Sequence, residues 1–165
     1  MKKSLRELCT AIAICFCATG NLFATDNQFN TDHTMDKNLN LIKEWDKVFP
    51  QSDKVSHSKV TFRNRYGITL AADMYKPKHA DGKLPAIAIS GPFGAVKEQS
   101  SGLYAQKLAE RGFLTIAFDP SYTGESGGEP RYVASPDINT EDFCAAVDFL
   151  STRDDVDAEH IGILG

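Results

Sequence analysis

An α/β fold is what this sequence predicts: a β-hairpin followed by a β-α-β-α-β run on a mostly parallel sheet. Three observations carry that expectation. Residues 84–90, 113–118 and 161–164 form short continuous apolar runs, as expected of strands buried on both faces. Stretches of helical periodicity separate them. Ahead of them lies a period-two stretch interrupted by a turn, as in a hairpin.

Length and composition set the frame. With 165 residues, 42% hydrophobic and 24% charged, the chain can form a soluble domain with a sizeable core. A net charge of −4, without a basic stripe interleaved with aromatics, argues against nucleic acid as a partner.

Residues 1–24 read as a secretory signal peptide. Met1-Lys-Lys-Ser-Leu-Arg6 is positively charged, residues 8–18 are apolar, and Leu22-Phe-Ala24 precedes a polar stretch. Cleavage is expected after Ala24, with Gly20 the alternative. The expected location is exported, periplasmic or secreted. The apolar run is short for a membrane span, so no membrane partner is expected of the mature form. Cleavage removes Cys9, Cys15 and Cys17 and leaves Cys144. Its apolar helix is expected to bury that thiol in an inert state.

Residues 25–55 are expected to form a polar spacer and then an amphipathic helix. Leu41, Ile42, Trp45, Val48 and Phe49 fall at helical spacing, and Pro50 closes the pattern. Residues 56–165 are the folded domain. Val60-Thr-Phe-Arg63 alternates, Asn64-Arg-Tyr-Gly67 turns, and residues 68–75 return before Pro77. The strand at 84–90 ends in Gly91-Pro-Phe-Gly94. A helix over 101–111 is expected to turn Tyr104, Ala105, Leu108 and Ala109 inward and to stop at Gly112. After the strand at 113–118, residues 119–139 form a Gly/Pro/Ser-rich loop. A helix over 140–153 points Phe143, Val147 and Leu150 inward. The last apolar strand, 161–164, is opened by His160, which reads as structural.

Gly124-Glu-Ser-Gly-Gly128 matches the G-x-S-x-G elbow literally. The elbow needs a strand, a sharp turn and a helix, with the serine at the turn. Ser126 is followed by loop sequence, so it is not expected to be the nucleophile. His33, His57, His79 and His160 show no metal-ligand spacing, and neither metal nor cofactor is expected. Asp119, Asp154 and Asp155 read as capping or solvated carboxylates.

Four blocks together resemble the α/β-hydrolase superfamily, in its dienelactone-hydrolase-like and Xaa-Pro-peptidase-like branch. They are Ala88-Ile-Ser-Gly-Pro-Phe-Gly-Ala-Val-Lys-Glu-Gln99, Leu103-Tyr-Ala-Gln-Lys-Leu-Ala-Glu-Arg-Gly-Phe113, Ala117-Phe-Asp-Pro-Ser-Tyr-Thr-Gly-Glu-Ser-Gly-Gly-Glu-Pro130 and Asp157-Ala-Glu-His-Ile-Gly-Ile-Leu-Gly165. The resemblance implies a truncated α/β-hydrolase fold, with residues 56–165 as its N-terminal half. It implies that Gly91 to Gly94 is the oxyanion loop. Pro92 has no N–H, so Phe93 is the first candidate donor and Gly94 the second. Tyr122 is a candidate for the substrate pocket, a structural role being the alternative. The family's nucleophile, Ser or Cys, would come two positions after Gly165, with the acid and histidine later still.

The resemblance also implies hydrolysis of a small ester, lactone or amide by the full-length family, with these 165 residues inactive alone. An unpaired strand edge would make them prone to self-association. The alternative is a non-catalytic binding or interaction module completed by another chain. A nucleotide-binding reading ranks third, because Gly91-Pro-Phe-Gly-Ala lacks G-x-G-x-x-G spacing.

Overall fold

The computed structural model describes residues 39–165. The expected signal peptide, residues 1–24, and the polar tract at 25–38 lie outside the described residues. Among the described residues, no helix is long and apolar enough to cross a membrane.

Among the described residues seven elements follow in chain order: β1 (Val55–Arg63), β2 (Thr69–Pro77), β3 (Leu84–Ile89), α1 (Ser100–Ala109), β4 (Leu114–Phe118), α2 (Pro136–Ser151) and β5 (Val156–Leu164). They build a five-stranded mixed sheet in the order β1-β2-β4-β3-β5. The β-α-β-α-β part is parallel, with β3 between β4 and β5. The hairpin β1–β2 is antiparallel, and β2 joins β4 antiparallel.

The hairpin turn is set by Asn64. Its Oδ1 accepts the N–H groups of Tyr66 and Ile68, each at 3.0 Å, so an Asx-type turn replaces a backbone-only one. Its Nδ2 donates to Asp142 of α2 at 2.8 Å, and Asp142 also accepts the Ser121 N–H at 2.7 Å. That buried carboxylate ties the hairpin, the loop after β4 and α2 together.

Two apolar clusters cover the two faces. One holds Phe62, Leu70, Leu114, Ile116, Phe118, Phe149 and Leu150 beneath α2. Phe62 stacks on Phe149 at 5.3 Å and meets Phe118 edge-on at 5.9 Å. The other holds Phe49, Val55, Tyr75, Ile89, Ala105 and Ala109 beneath α1.

Four expectations are corrected here. Residues 39–49 form no helix. Their backbone donors go to distant partners instead: Ile42 N–H to Glu125 Oε1 at 2.6 Å and Val48 N–H to the Glu98 carbonyl at 3.1 Å. Trp45 and Phe49 pack edge to face, and Lys47 is buried, so tertiary docking overrides the helical spacing. In α1 the inward face is small rather than aromatic. Gly102, Ala105 and Ala109 are buried while Tyr104 is 60% exposed. Close approach explains this: a Cβ on Gly102 would stand 2.3 Å from the Lys97 carbonyl, and Thr115 Oγ1 donates to the Ala105 carbonyl at 2.9 Å.

β5 is the third correction. It is longer than the apolar run and mostly exposed, with only Val156 buried, because it ends the sheet order. Cys144 is the fourth. It lies on the outer face of α2 and is exposed, while Ala145, Ala146, Phe149 and Leu150 supply the buried face.

Candidate active site

The loop after β3 is organised by one tight turn. The Ala95 N–H donates to the Pro92 carbonyl at 3.0 Å, which makes Phe93 and Gly94 the central pair. Gly94 has φ +83°, the left-handed value that a type II turn needs at its third position and that glycine adopts without strain. A turn of this kind uses neither central N–H in its own hydrogen bond. Among the described residues, the N–H groups of Phe93 and Gly94 have no partner.

That turn forms one wall of a cavity of about 610 Å³. Phe118 at the end of β4 and Phe143 of α2 lie opposite, their rings edge to face at 5.0 Å. Tyr132 and Val133, in the loop before α2, form part of the rim. Tyr122 is not among the lining residues. Its ring packs on Gly128, where a Cβ would stand 2.5 Å from it.

Behind the turn sits a cluster of ion pairs. Lys97 is fully buried, two residues past the turn. Its Nζ reaches Asp119 Oδ2 at 2.8 Å and Glu125 Oε2 at 2.7 Å, and it also contacts Glu98. The Lys97 N–H donates to Asp119 Oδ1 at 2.8 Å, and the Glu125 N–H donates to Asp119 Oδ2 at 2.9 Å. The cluster continues through Lys59, 2.5 Å from Glu125, to buried Asp73. Asp73 is reached by Lys47 at 2.9 Å and His57 at 2.8 Å.

Charge state follows from these surroundings. Burial works against the Lys97 ammonium, but the carboxylates of Asp119, Glu125 and Glu98 outweigh it and push its pKa up. Burial also raises the Asp119 carboxyl, and Lys97 opposes that rise only in part. Every hydrogen bond at the Asp119 side chain is nonetheless donated to it, the pattern of an ionised carboxylate. At Asp73 burial again acts upward, but His57, Lys59 and Lys47 outweigh it and hold the pKa below 3.8. Asp46, Glu98 and Glu125 come close enough together to share a cation. Lys59 and Lys97 already reach into that group and form ion pairs with it.

Asp119 is thus neither solvated nor a simple cap, as the sequence suggested. It is the buried partner of Lys97. Sequence reasoning missed Lys97, Glu125 and Asp73 because a lysine in a polar run normally reads as surface. A lysine two residues after a glycine turn was the available signal. Asp154 is exposed, whereas Asp155 pairs with Arg153 at 2.9 Å and Lys76 at 3.0 Å.

Ser126 is 2% exposed and committed to the backbone. Its Oγ donates to the Asp119 carbonyl at 2.7 Å and accepts the Ala71 N–H at 2.8 Å. Ser126→Ala is expected to cost about 1–3 kcal/mol, because both backbone groups lose a buried partner. Urea unfolding checks it; an unchanged midpoint would show that the two bonds are worth nothing net.

His57 faces Asp73, and His160 is paired with Asp157 at 2.8 Å on the exposed strand β5. Among the described residues, no serine or cysteine side chain is hydrogen-bonded to a histidine.

Residues 66–165 match the model of the X-Pro dipeptidyl-peptidase (S15) family. This chain belongs to that family. Its fold is accordingly that of an α/β hydrolase, and the S15 match begins inside the hairpin turn and runs through β5. PA2218 of Pseudomonas aeruginosa is 64% identical over 155 residues, which are 93% of this chain and 41% of that protein. Its crystal structure superposes with a TM-score of 0.75 at 73% identity, covering 77% of this chain and 40% of that one. YcjY of Escherichia coli is 50% identical over 113 residues, 66% of this chain and 37% of the relative. The thiohydrolase aneE of Aspergillus aculeatus is 33% identical over 114 residues, 69% of this chain and 35% of that protein. The S15 chain therefore spans about two fifths of the length of these relatives.

Proposed function

We propose that this chain contributes the oxyanion wall of a hydrolase acting on a small ester, thioester, lactone or amide. The supporting observation is the turn at 92–95. Its central residues Phe93 and Gly94, whose N–H groups have no partner among the described residues, line a cavity large enough for a small substrate. As an acyl carbon becomes tetrahedral, its oxygen gains negative charge. Donors already aimed at that position stabilise the transition state more than the ground state. Thioesters are included because one relative, aneE, is a thiohydrolase.

The buried Lys97–Asp119–Glu125 cluster fixes the backbone at Lys97, two residues past this turn, which favours a turn that need not reorganise during the reaction. Gly94 is the position where the required φ excludes a Cβ-bearing residue without strain. The nucleophile and its base are expected from outside these residues, because none of the described serines or cysteines is paired with a histidine. The 165-residue protein alone is accordingly expected to be inactive.

A chimera tests this reading: this chain continued by the remaining length of PA2218, with which it shares 64% identity. The chimera should hydrolyse p-nitrophenyl butyrate. Phe93→Pro, which deletes one N–H, should lower its kcat by about 10²–10³-fold. An active chimera indifferent to Phe93→Pro would remove Phe93 from the oxyanion hole. Ester hydrolysis by the 165-residue protein, abolished by Ser126→Ala, would reverse the assignment of the nucleophile.

We also propose export, on the charged and apolar pattern of residues 1–24. Retention of the tagged protein in the cytosolic fraction with an intact N-terminus would exclude it. Self-association is expected through β5, where Ile163 is 62% exposed on the last strand of the described sheet. Sedimentation as a monomer at all concentrations would contradict that.

A further inference from the structure

The cavity wall has a chemical character that narrows the substrate, and this inference rests on the hydrolase reading above. None of the residues lining it carries a formal charge. Phe93, Val96, Phe118, Tyr132, Val133 and Phe143 supply an apolar surface. The lining polar groups are neutral: Ser90, Thr123, Asn139 and Thr140. Two of these are already engaged, Ser90 Oγ with the Phe118 carbonyl at 3.3 Å and Thr140 Oγ1 with the Pro136 carbonyl at 2.8 Å.

A dipeptidyl peptidase must bind a substrate's free α-ammonium group. Desolvating an ammonium is costly unless a carboxylate receives it. Of the carboxylates that adjoin lining residues in the chain, Glu141 pairs with Arg65, and Asp142 accepts from Asn64 and Ser121. Asp137 is exposed and does not line the cavity, and Glu98, Asp119 and Glu125 belong to the Lys97 cluster. The last three are held in ion pairs with Lys97 and Lys59 and do not line the cavity. The lining itself offers no carboxylate to receive an amino terminus.

We propose that this cavity binds the neutral, apolar acyl group of an ester or thioester, and that it discriminates against substrates with a free amino terminus. The acyl chain lies against Phe118 and Phe143, and its carbonyl oxygen points to the Phe93 and Gly94 amides. The cavity volume, about 610 Å³, suits a chain of several carbons or a single aromatic ring.

Binding to the 165-residue protein tests this without turnover. Butyrophenone, an unhydrolysable neutral ketone, is titrated against Ala-Pro, which carries the ammonium. The readout is the amide NMR shifts of Phe93, Gly94, Tyr132 and Val133. Butyrophenone should shift them saturably, and Ala-Pro at equal concentration should not. Val133→Asp places a carboxylate on the half-exposed rim and should weaken butyrophenone by at least about tenfold. Tyr132→Asp, at a position 86% exposed, serves as a second variant that leaves the core untouched.

Equal or stronger shifts with Ala-Pro would overturn the proposal, as would butyrophenone shifts confined to other surfaces. Loss of butyrophenone binding alongside an active chimera would sink the acyl-pocket assignment and leave the hydrolase reading standing. Selective butyrophenone binding with an inactive chimera would support the pocket and sink the hydrolase reading.

Discussion

Lys97→Met is expected to destabilise the protein by about 3–5 kcal/mol. Methionine matches the length of the stem but delivers no charge. Asp119 has no exposure, and its Oδ2 would lose the Lys97 Nζ contact at 2.8 Å. Glu125 would lose its 2.7 Å contact and Glu98 its contact with Lys97, leaving both to Lys59. An ion pair buried this deeply adds little net stability against an apolar replacement of both members. Removing one member is different, because Asp119 stays buried with backbone donors but no cation, and Lys59 alone remains to Glu125 and Glu98. Urea unfolding of the 165-residue protein at neutral pH measures the loss. A change below about 0.5 kcal/mol, the range of an ordinary surface substitution, would mean that water or rearrangement satisfies these carboxylates. The double replacement of Lys97 and Asp119 by apolar residues should recover part of the loss, since it removes charge from both sides.

Gly124→Ala is expected to cost about 2–5 kcal/mol, from overpacking added to left-handed strain. Gly124 has φ +53°, and a Cβ there would stand 2.1 Å from Asp119 Oδ2. That oxygen cannot retreat freely, because it accepts both Lys97 Nζ and the Glu125 N–H. Alanine must therefore push the loop off the carboxylate or the carboxylate off the lysine. The same unfolding experiment applies. A loss of only a few tenths of a kcal/mol would show that the loop closes over Asp119 with room to spare. The double variant Lys97→Met with Gly124→Ala should lose less than the sum of the two. Both act on one carboxylate, and once Asp119 is released the second change finds less to break.

These expectations give the glycine-rich loop a different meaning from the one its motif suggests. Gly124-Glu-Ser-Gly-Gly128 looks like a nucleophile elbow, yet its first three members each serve a contact. Gly124 lets the loop approach Asp119, Glu125 pairs with Lys97 and Lys59, and Ser126 bonds the backbone of β2. The lack of a following helix argues in the sequence against a nucleophilic Ser126. It does not show what Ser126 does instead, because Ala71 lies 55 residues away.

The strands were legible because each is a local pattern. Residues 84–90 and 113–118 are predominantly apolar, and they become β3 and β4 at the centre of the sheet. The hairpin was legible for the same reason, with Asn64 and Gly67 marking its turn. Residues 39–49 misled because helical spacing also arises when Trp45 and Phe49 dock separately on a surface. Nothing in the spacing shows that Ile42 and Val48 send their N–H groups to Glu125 and Glu98. Tyr104 misled because the space beneath α1 is narrow, a property of the layer it packs on rather than of the helix.

By itself the sequence determined the order of strands and helices from the hairpin onward, the family and the turn at Gly91 to Gly94. Periodicity, turn residues and an N–H missing at Pro92 are properties of neighbouring residues, and they can be read locally. Only the tertiary structure decided which charges meet. Lys97 and Asp119 are 22 residues apart, and Lys59 and Glu125 are 66 apart. A pairing across such distances is set by sheet order and loop closure, which bring the partners together out of water. The neutral cavity follows from the same event, because the charged side chains around the turn were drawn into the cluster behind it.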